Sequence, residues 1–349
     1  MKKILFLLCV SIGIASACRQ NSEGSETNSA TDSTSLHQDP LPSWNEGIAK
    51  QAIISFVHAT TDKADSGFVS PEERIATFDQ DGTIWVEHPV YTQIMYCIAR
   101  IPDIAATKPE LKNKEPFKTI LSGNYEAIMH LGQADFDKIA AVVLTGMSED
   151  QFRAEVKNWI LNARDPRWKK PYSNLAYQPM LEVMHYLRTN GFKTYIVTGS
   201  GQDFVRAYSE QTYGIPPEQV IGSAVETSFK YDSVNRQSAL LKQSKLLLND
   251  NGPGKPEGIQ FVIGRRPYIS FGNTVGDQQM LEYTKTGKGQ RLAMLVLHDD
   301  STREYAYGPA TGLPDSKIGT FSQALYDEAQ KSGWIVISMK KDWNTIFSK

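Results

Sequence analysis

The sequence predicts an α/β fold: a doubly wound parallel sheet with a helical cap inserted after the first strand. Three observations lead there. Short apolar runs ending in turn-forming residues recur at 74–79, 192–197, 268–273, 291–300 and 333–338. Runs of that length, bounded in that way, read as strands buried on both faces. Helix-like segments of ten or more residues alternate with them, the pattern of a parallel sheet with helices on both sides. Finally, roughly a hundred residues separate the first run from the second, far too many for a loop in a compact domain.

At the N-terminus, Lys2 and Lys3 precede the apolar run Ile4–Ile14 and the small residues Ala15–Cys18. A charged start, a short apolar stretch and a small-residue cleavage site predict an export signal at 1–17, too short to remain as a spanning helix. Cys18 directly after Ala-Ser-Ala resembles a bacterial lipoprotein processing site, where the cysteine takes lipid and becomes the mature N-terminus. Ala15, where such sites usually carry Leu, leaves plain cleavage open. The expected location is therefore a membrane-anchored lipoprotein of the bacterial cell envelope, or else a periplasmic or secreted protein. Residues 18–45 begin with almost no apolar side chains and read as a flexible tether. With Cys9 in the signal and Cys18 on lipid, only Cys97 remains of three cysteines, so no intramolecular disulfide is expected. Loss of 1–17 leaves 35 basic against 39 acidic residues, a net charge of about −4, with no basic tract to engage nucleic acid. Membrane contact is expected only through lipid on Cys18; the oligomeric state is not legible.

The catalytic core is expected at 46–84 and 176–349, and the cap at 85–175. Within the cap, Ser148 with Gln151 forms a capping box, and Phe152, Val156, Trp159, Ile160 and Ala163 share one helical face. After the cap, Pro179 suits a first helical turn, Met180, Val183, Met184 and Leu187 form an apolar face, and Gly191 suits the stop before a strand at Phe192–Val197. Another helical stretch, Phe321–Lys331, precedes the last strand. No internal repeat is present.

Ligands of open parallel sheets bind beyond the carboxyl ends of the strands. There the first strand ends in Asp79, Gln80, Asp81, Gly82 and Thr83. The second ends in Thr198, Gly199, Ser200 and Gly201, expected to open a helix. A Gly/Pro-rich loop holds Lys255, and the next strand ends in Asn273 and, four residues on, Asp277. Each signal alone has an ordinary structural explanation, as acidic turn, helix cap or solvated lysine. In this order, at successive strand ends, they form a phosphoryl-transfer site. Asp79 supplies a carboxylate nucleophile, and Asp81 can protonate a leaving oxygen and later deprotonate water. Thr198 and the amides beside it can hold phosphate oxygens, and Lys255 sets a positive charge against nucleophile and phosphoryl group. A hard cation among the acids offsets their mutual repulsion.

These segments resemble the four motifs of the haloacid dehalogenase superfamily: "DQDGT" at 79–83, "VTGS" at 197–200, Lys255 in "GPGKP", and "GNTVGD" at 272–277. The resemblance covers about 46–349, and the position of the cap is similar to the phosphoserine phosphatase-like branch. It implies a Rossmann-like core and a Mg²⁺-dependent phosphatase that hydrolyses a small phosphomonoester through an aspartyl-phosphate. It further implies Asp79 as nucleophile and metal ligand, and Asp81 as general acid/base that also gives its backbone carbonyl to the metal. Thr198, Gly199 and Lys255 are implied as phosphate-binding, with Asp277 and Asn273 completing the metal site. Asn273 departs from the pattern, since an acid usually stands there; an amide oxygen can ligate Mg²⁺ but brings no charge. That departure keeps open an envelope binding protein on a weakened phosphatase scaffold; a phosphotransferase is a separate alternative. The second acid, Asp81, favours phosphatase over dehalogenase.

Other residues carry no assignment. Trp85, Glu87, His88 and Tyr91 follow the first motif and are weighed as substrate-facing or structural. The aromatics Tyr96, Tyr125, Trp159, Trp168, Tyr172 and Tyr177 read as core rather than a cage for a quaternary ammonium. Arg265 and Arg266 precede their strand and read as surface, and His298, Asp299 and Asp300 end a strand without a role.

Overall fold

The run Ile75–Phe78 forms a strand, β1, whose four residues are all buried. It lies between β2 (Lys193–Gly201) and β5 (Ile269–Gly272), parallel to both. Phe78 registers with Ile196 on one side and with Phe271 on the other, and the two phenyl rings stack at 4.7 Å. The computed structural model describes residues 39–348. The export signal, Cys18 and most of the expected tether lie outside the described residues.

Beyond these strands run β3 (Val220–Asp232), β4 (Gln237–Leu248), β6 (Leu292–Leu297) and β7 (Ile335–Ser338). The sheet order is β4-β3-β2-β1-β5-β6-β7, parallel throughout except for β4. The α/β expectation holds. Side chains alternate across it as a two-faced sheet requires. Met294 and Val296 of β6 join one apolar cluster, with Phe56 of the helix Ile48–Thr61 and Met180 and Val183 of the helix Gln178–Thr189. Ala293 and Leu295 face the other way, against Leu325 and Ala329 of the helix Gln323–Lys331. Pro179 stands at the start of its helix, and Gly191, at φ +80°, follows its end, as the sequence predicts.

Between β1 and the helix Gln178–Thr189 stand the helices Thr92–Thr107, Phe117–Leu121, Tyr125–Met129, Gln133–Val143 and Glu149–Asn162. The capping box forms: Ser148 Oγ accepts from Gln151 N at 3.2 Å, and Ser148 N donates to Gln151 Oε1 at 3.3 Å. Phe152, Val156 and Ile160 are buried. Tyr96, Tyr172 and Tyr177 are buried too, and Trp159 stacks on Tyr172 at 5.0 Å, so these aromatics serve packing.

Three local expectations change. The tether expected through residue 45 ends earlier: Leu41 and Trp44 are buried, Trp44 Nε1 donates to Pro179 O at 3.0 Å, and these two large apolar side chains anchor the chain. Thr198–Gly201 first extend β2 as a bulged end, where pairing with β3 shifts register between Thr198 and Gly201, and then open the helix Gln202–Arg206 with Gly201 at its N-cap. Lys255 lies not in a loop but in the first turn of the helix Gly254–Val262. The long β3–β4 hairpin matches none of the strands expected from the sequence. Among the described residues no helix is long and apolar enough to cross a membrane.

Candidate active site

Because β1 is central, its carboxyl end adjoins those of β2 and β5, and the predicted residues meet there. Asp79 N donates to Phe271 O at 2.9 Å, continuing the sheet for one residue past β1. The chain then turns tightly: Gly82 adopts φ +81°, and its N–H donates to Trp85 O at 2.7 Å. Gln80 points into the core, where its amide donates to Tyr208 Oη at 2.7 Å and Tyr213 Oη at 3.3 Å. Trp85 packs on the same two tyrosines, at 5.1 and 5.9 Å, and donates to Thr92 Oγ1 at 2.9 Å. Its role is structural.

Lys255 is the electrostatic centre. Its Nζ lies 2.5 Å from Asp79 Oδ1, 2.7 Å from Asp277 Oδ1 and 2.7 Å from Val197 O. Burial would lower the lysine's pKa, but Asp277, Asp79 and the buried Asp250 hold it above the ordinary range. Burial, then the charge of Asp277, push the Asp79 carboxyl up to about 7, with Lys255 pulling the other way. Asp81 is pushed up to about 6 by burial, although Ser200 Oγ donates to its Oδ2 at 2.6 Å.

Asp277 spends its second oxygen on the loop after β5, where Oδ2 accepts from Asn273 N at 2.9 Å and Thr274 N at 3.0 Å. It thus fastens both Lys255 and that loop. Thr198 Oγ1 accepts from Ser200 N at 3.1 Å, and Gly199 O accepts from Ser223 Oγ at 2.8 Å. Gln93, on the helix Thr92–Thr107, reaches across to accept from Gly201 N at 2.7 Å.

The Thr83 hydroxyl lies 3.2 Å from Asp79 Oδ2 and 3.2 Å from Asn273 Oδ1, so a converging pair of acceptors, one from a carboxyl and one from an amide, flanks it. Among the described residues no group of three or more His, Cys, Asp or Glu side chains forms a metal cage. The converging pair still fits Mg²⁺, which takes few protein oxygens and keeps waters or substrate oxygens for the rest.

A further set of side chains supports the turn and was not assigned from sequence. His298 Nε2 donates to Gly82 O at 2.7 Å, and its Nδ1 meets Glu304 Oε2 at 3.1 Å. Glu87 is buried and accepts from Asn273 Nδ2 at 2.6 Å and from Tyr307 Oη at 3.0 Å. Burial first, then the charges of Asp79 and Asp81, raise its carboxyl well above the usual range. His88 stacks on Tyr307 at 4.4 Å and contacts Ser316 Oγ at 3.2 Å. The sequence hints at this group only through Glu87 and His88, which follow the first motif, and His298, which ends a strand. Arg265 and Arg266 lie away from the site, the first on Glu72 O and Glu73, the second over the Tyr283 ring.

No curated protein matches the sequence. Among solved structures, a conserved protein of unknown function from Anaerococcus prevotii DSM 20548 is 14% identical, with a TM-score of 0.47 over 72% of this chain and 86% of its own. A protein of unknown function from Bordetella pertussis Tohama I is 15% identical, with a TM-score of 0.45 over 76% and 98%. A phosphoserine phosphohydrolase-like protein from Francisella tularensis subsp. tularensis SCHU S4 is 18% identical, with a TM-score of 0.36 over 64% and 88%. The sequence profile of haloacid dehalogenase-like hydrolases matches residues 76–282. That match runs from β1 past Asp277 and takes in more than half of the chain, which therefore belongs to the haloacid dehalogenase-like hydrolase family.

Proposed function

We propose that the protein is a phosphatase that hydrolyses a small phosphomonoester through an aspartyl-phosphate on Asp79. The observation that carries this reading is the grip on Asp79. Lys255 holds Oδ1 at 2.5 Å and Thr83 approaches Oδ2 at 3.2 Å, so the carboxylate is oriented and its charge countered before substrate arrives. A carboxylate oxygen of Asp79 attacks phosphorus in line while the bond from phosphorus to the ester oxygen breaks. Asp81 gives its proton to that departing oxygen. With the alcohol gone, Asp81 takes a proton from water as the water oxygen attacks the phosphorus, releasing phosphate and restoring Asp79. A carboxyl pushed up to about 6 by burial holds and releases a proton near neutral pH, which suits both halves of the cycle. The Thr198 hydroxyl and the Gly199 amide are the groups assigned to the phosphate oxygens. Mg²⁺, when bound, would be held by Asp79, Asn273 and the Asp81 backbone, and would supply positive charge toward the phosphoryl oxygens. Asp277 serves in this scheme by holding Lys255 and the loop that carries Asn273.

The test is release of free phosphate from p-nitrophenyl phosphate in Mg²⁺, compared with the Asp79→Asn and Asp81→Asn proteins. Asp79→Asn is expected to fall to background, and Asp81→Asn to lose about 10²–10⁴-fold. Near wild-type turnover by Asp79→Asn would remove the nucleophile assignment. A product phosphate ester would indicate transfer to an alcohol, and ligand bound but unconsumed would indicate a binding protein.

A further inference from the structure

We infer that Glu87 is a positioning residue that fixes the Asn273 amide with its oxygen toward Asp79, making a neutral side chain serve as a cation ligand. The inference rests on the cation site of the proposed function. The two ends of an amide are nearly alike in shape but opposite in hydrogen-bonding sense. Beside an aspartate carboxylate, an unrestrained Asn would present its NH₂ end, because a donor is what the carboxylate attracts. That orientation would aim two N–H groups at the place where a cation needs oxygens. Asn273 is held the other way round: Oδ1 meets Thr83 Oγ1 at 3.2 Å on the Asp79 side, and Nδ2 donates to Glu87 Oε1 at 2.6 Å. Glu87 is itself fixed, since Tyr307 Oη donates to the same Oε1 at 3.0 Å.

The space for this pair is also kept clear. A Cβ on Gly82 would lie 2.0 Å from Asn273 Nδ2 and 2.3 Å from Glu87 Oε1, and one on Gly319 would lie 2.0 Å from Glu87 Oε1. Two glycines from distant segments thus let the carboxylate and the amide meet. The arrangement makes sense only with an amide at 273. An acid there would need no orienting, having two equivalent oxygens. Glu87 and Asn273 form a matched pair, and an outer partner of this kind typically governs metal affinity by about 10–100-fold.

The experiment is calorimetric titration of the full chain with Mn²⁺ in the absence of substrate, with thermal unfolding measured alongside. Glu87→Met should weaken Mn²⁺ binding by about 10–100-fold, while Glu87→Gln, which keeps an acceptor oxygen, should restore most of it. In the Asn273→Asp background, where no amide needs orienting, Glu87→Met and Glu87→Gln should each leave Mn²⁺ binding largely unchanged. Equal weakening in both backgrounds would mean that Glu87 only supports the fold, and would overturn the inference. So would unchanged binding by Glu87→Met while Asp79→Asn abolishes it. Should Glu87→Met not fold, Glu87→Ser takes its place, and the same outcomes overturn the inference. If Mn²⁺ fails to bind the wild type, or binds regardless of Asp79→Asn, the cation site itself falls and this inference with it.

Discussion

Lys255 has three N–H donors and three acceptors around them: Asp79 Oδ1, Asp277 Oδ1 and Val197 O. A compact ammonium matches that tripod, whereas the planar fork of an arginine does not. The side chain is 2% exposed and its two carboxylate partners 10% and 1%, so the group is effectively out of water. Removing one member of a buried charge cluster leaves the others uncompensated, which typically costs about 3–5 kcal/mol. Lys255→Met is therefore expected to lower metal-free stability by about that amount in urea unfolding, and adding Asp277→Leu should recover part of the loss. A Lys255→Met protein as stable as the wild type would show that water reaches the carboxylates after all. The prediction separates two duties of the lysine, because the double variant regains stability without regaining the charge beside Asp79.

The β3–β4 hairpin is the element that most needs explanation, since β4 forms an edge of the sheet and leaves Phe229, Tyr231 and Leu240 exposed. Part of that edge is covered. Gly146 N donates to Lys242 O, and Lys242 N to Met147 O, both at 3.0 Å, so the segment leading into the helix Glu149–Asn162 pairs with the middle of β4. The Lys242 side chain turns inward to Asp203 Oδ2 at 2.5 Å and Glu149 Oε1 at 3.4 Å, and lies 4.8 Å from the Phe152 ring centroid. One lysine thus ties together hairpin, cap helix and the helix after β2. Lys242→Met keeps the stem packing on Phe152 but leaves two acids facing each other, and is expected to cost about 2–4 kcal/mol, read as a lower urea midpoint with an unchanged slope. A loss below about 0.5 kcal/mol, the range of ordinary surface changes, would show that the three elements hold together without it. The helix Glu149–Asn162 was legible because a capping box and a 3.6-residue apolar period mark it locally. The hairpin was not, because the apolar residues of β4 stand in two runs of three, Ala239–Leu241 and Leu246–Leu248, split by polar residues and without the alternation that marks a strand.

Across the molecule, the chemistry was legible where each motif occupies a few adjacent residues at a strand end. Placing β1 between β2 and β5 then brings Asp79, Thr198 and Asn273 together without further instruction from the sequence. The supporting groups were illegible for the opposite reason. His298, Glu304, Tyr307 and Gly319 come from the irregular chain after β6, where no period announces which side chain turns inward. Asp250 is another such residue, fully buried behind the site. Burial pushes its carboxyl up to about 7 from an ordinary 3.8; Asp277 adds to the rise, while the Lys255 charge and the Thr198 N–H oppose it. The folded chain therefore holds a proton here that the unfolded chain has already lost between about pH 4 and 7. This contribution to stability is complete below pH 4 and disappears as pH rises through 7. At about 1.4 kcal/mol per unit, the full change is on the order of 4 kcal/mol. Asp250→Asn has no proton to release, so in EDTA it should match the wild type near pH 4 and exceed it by several kcal/mol at pH 8. Asp79, Asp81 and Glu87 are raised as well and slope both curves alike, so the difference between the curves isolates Asp250. Parallel urea-stability curves from pH 4 to 8 would mean that Asp250 ionises in the folded protein as it does in water.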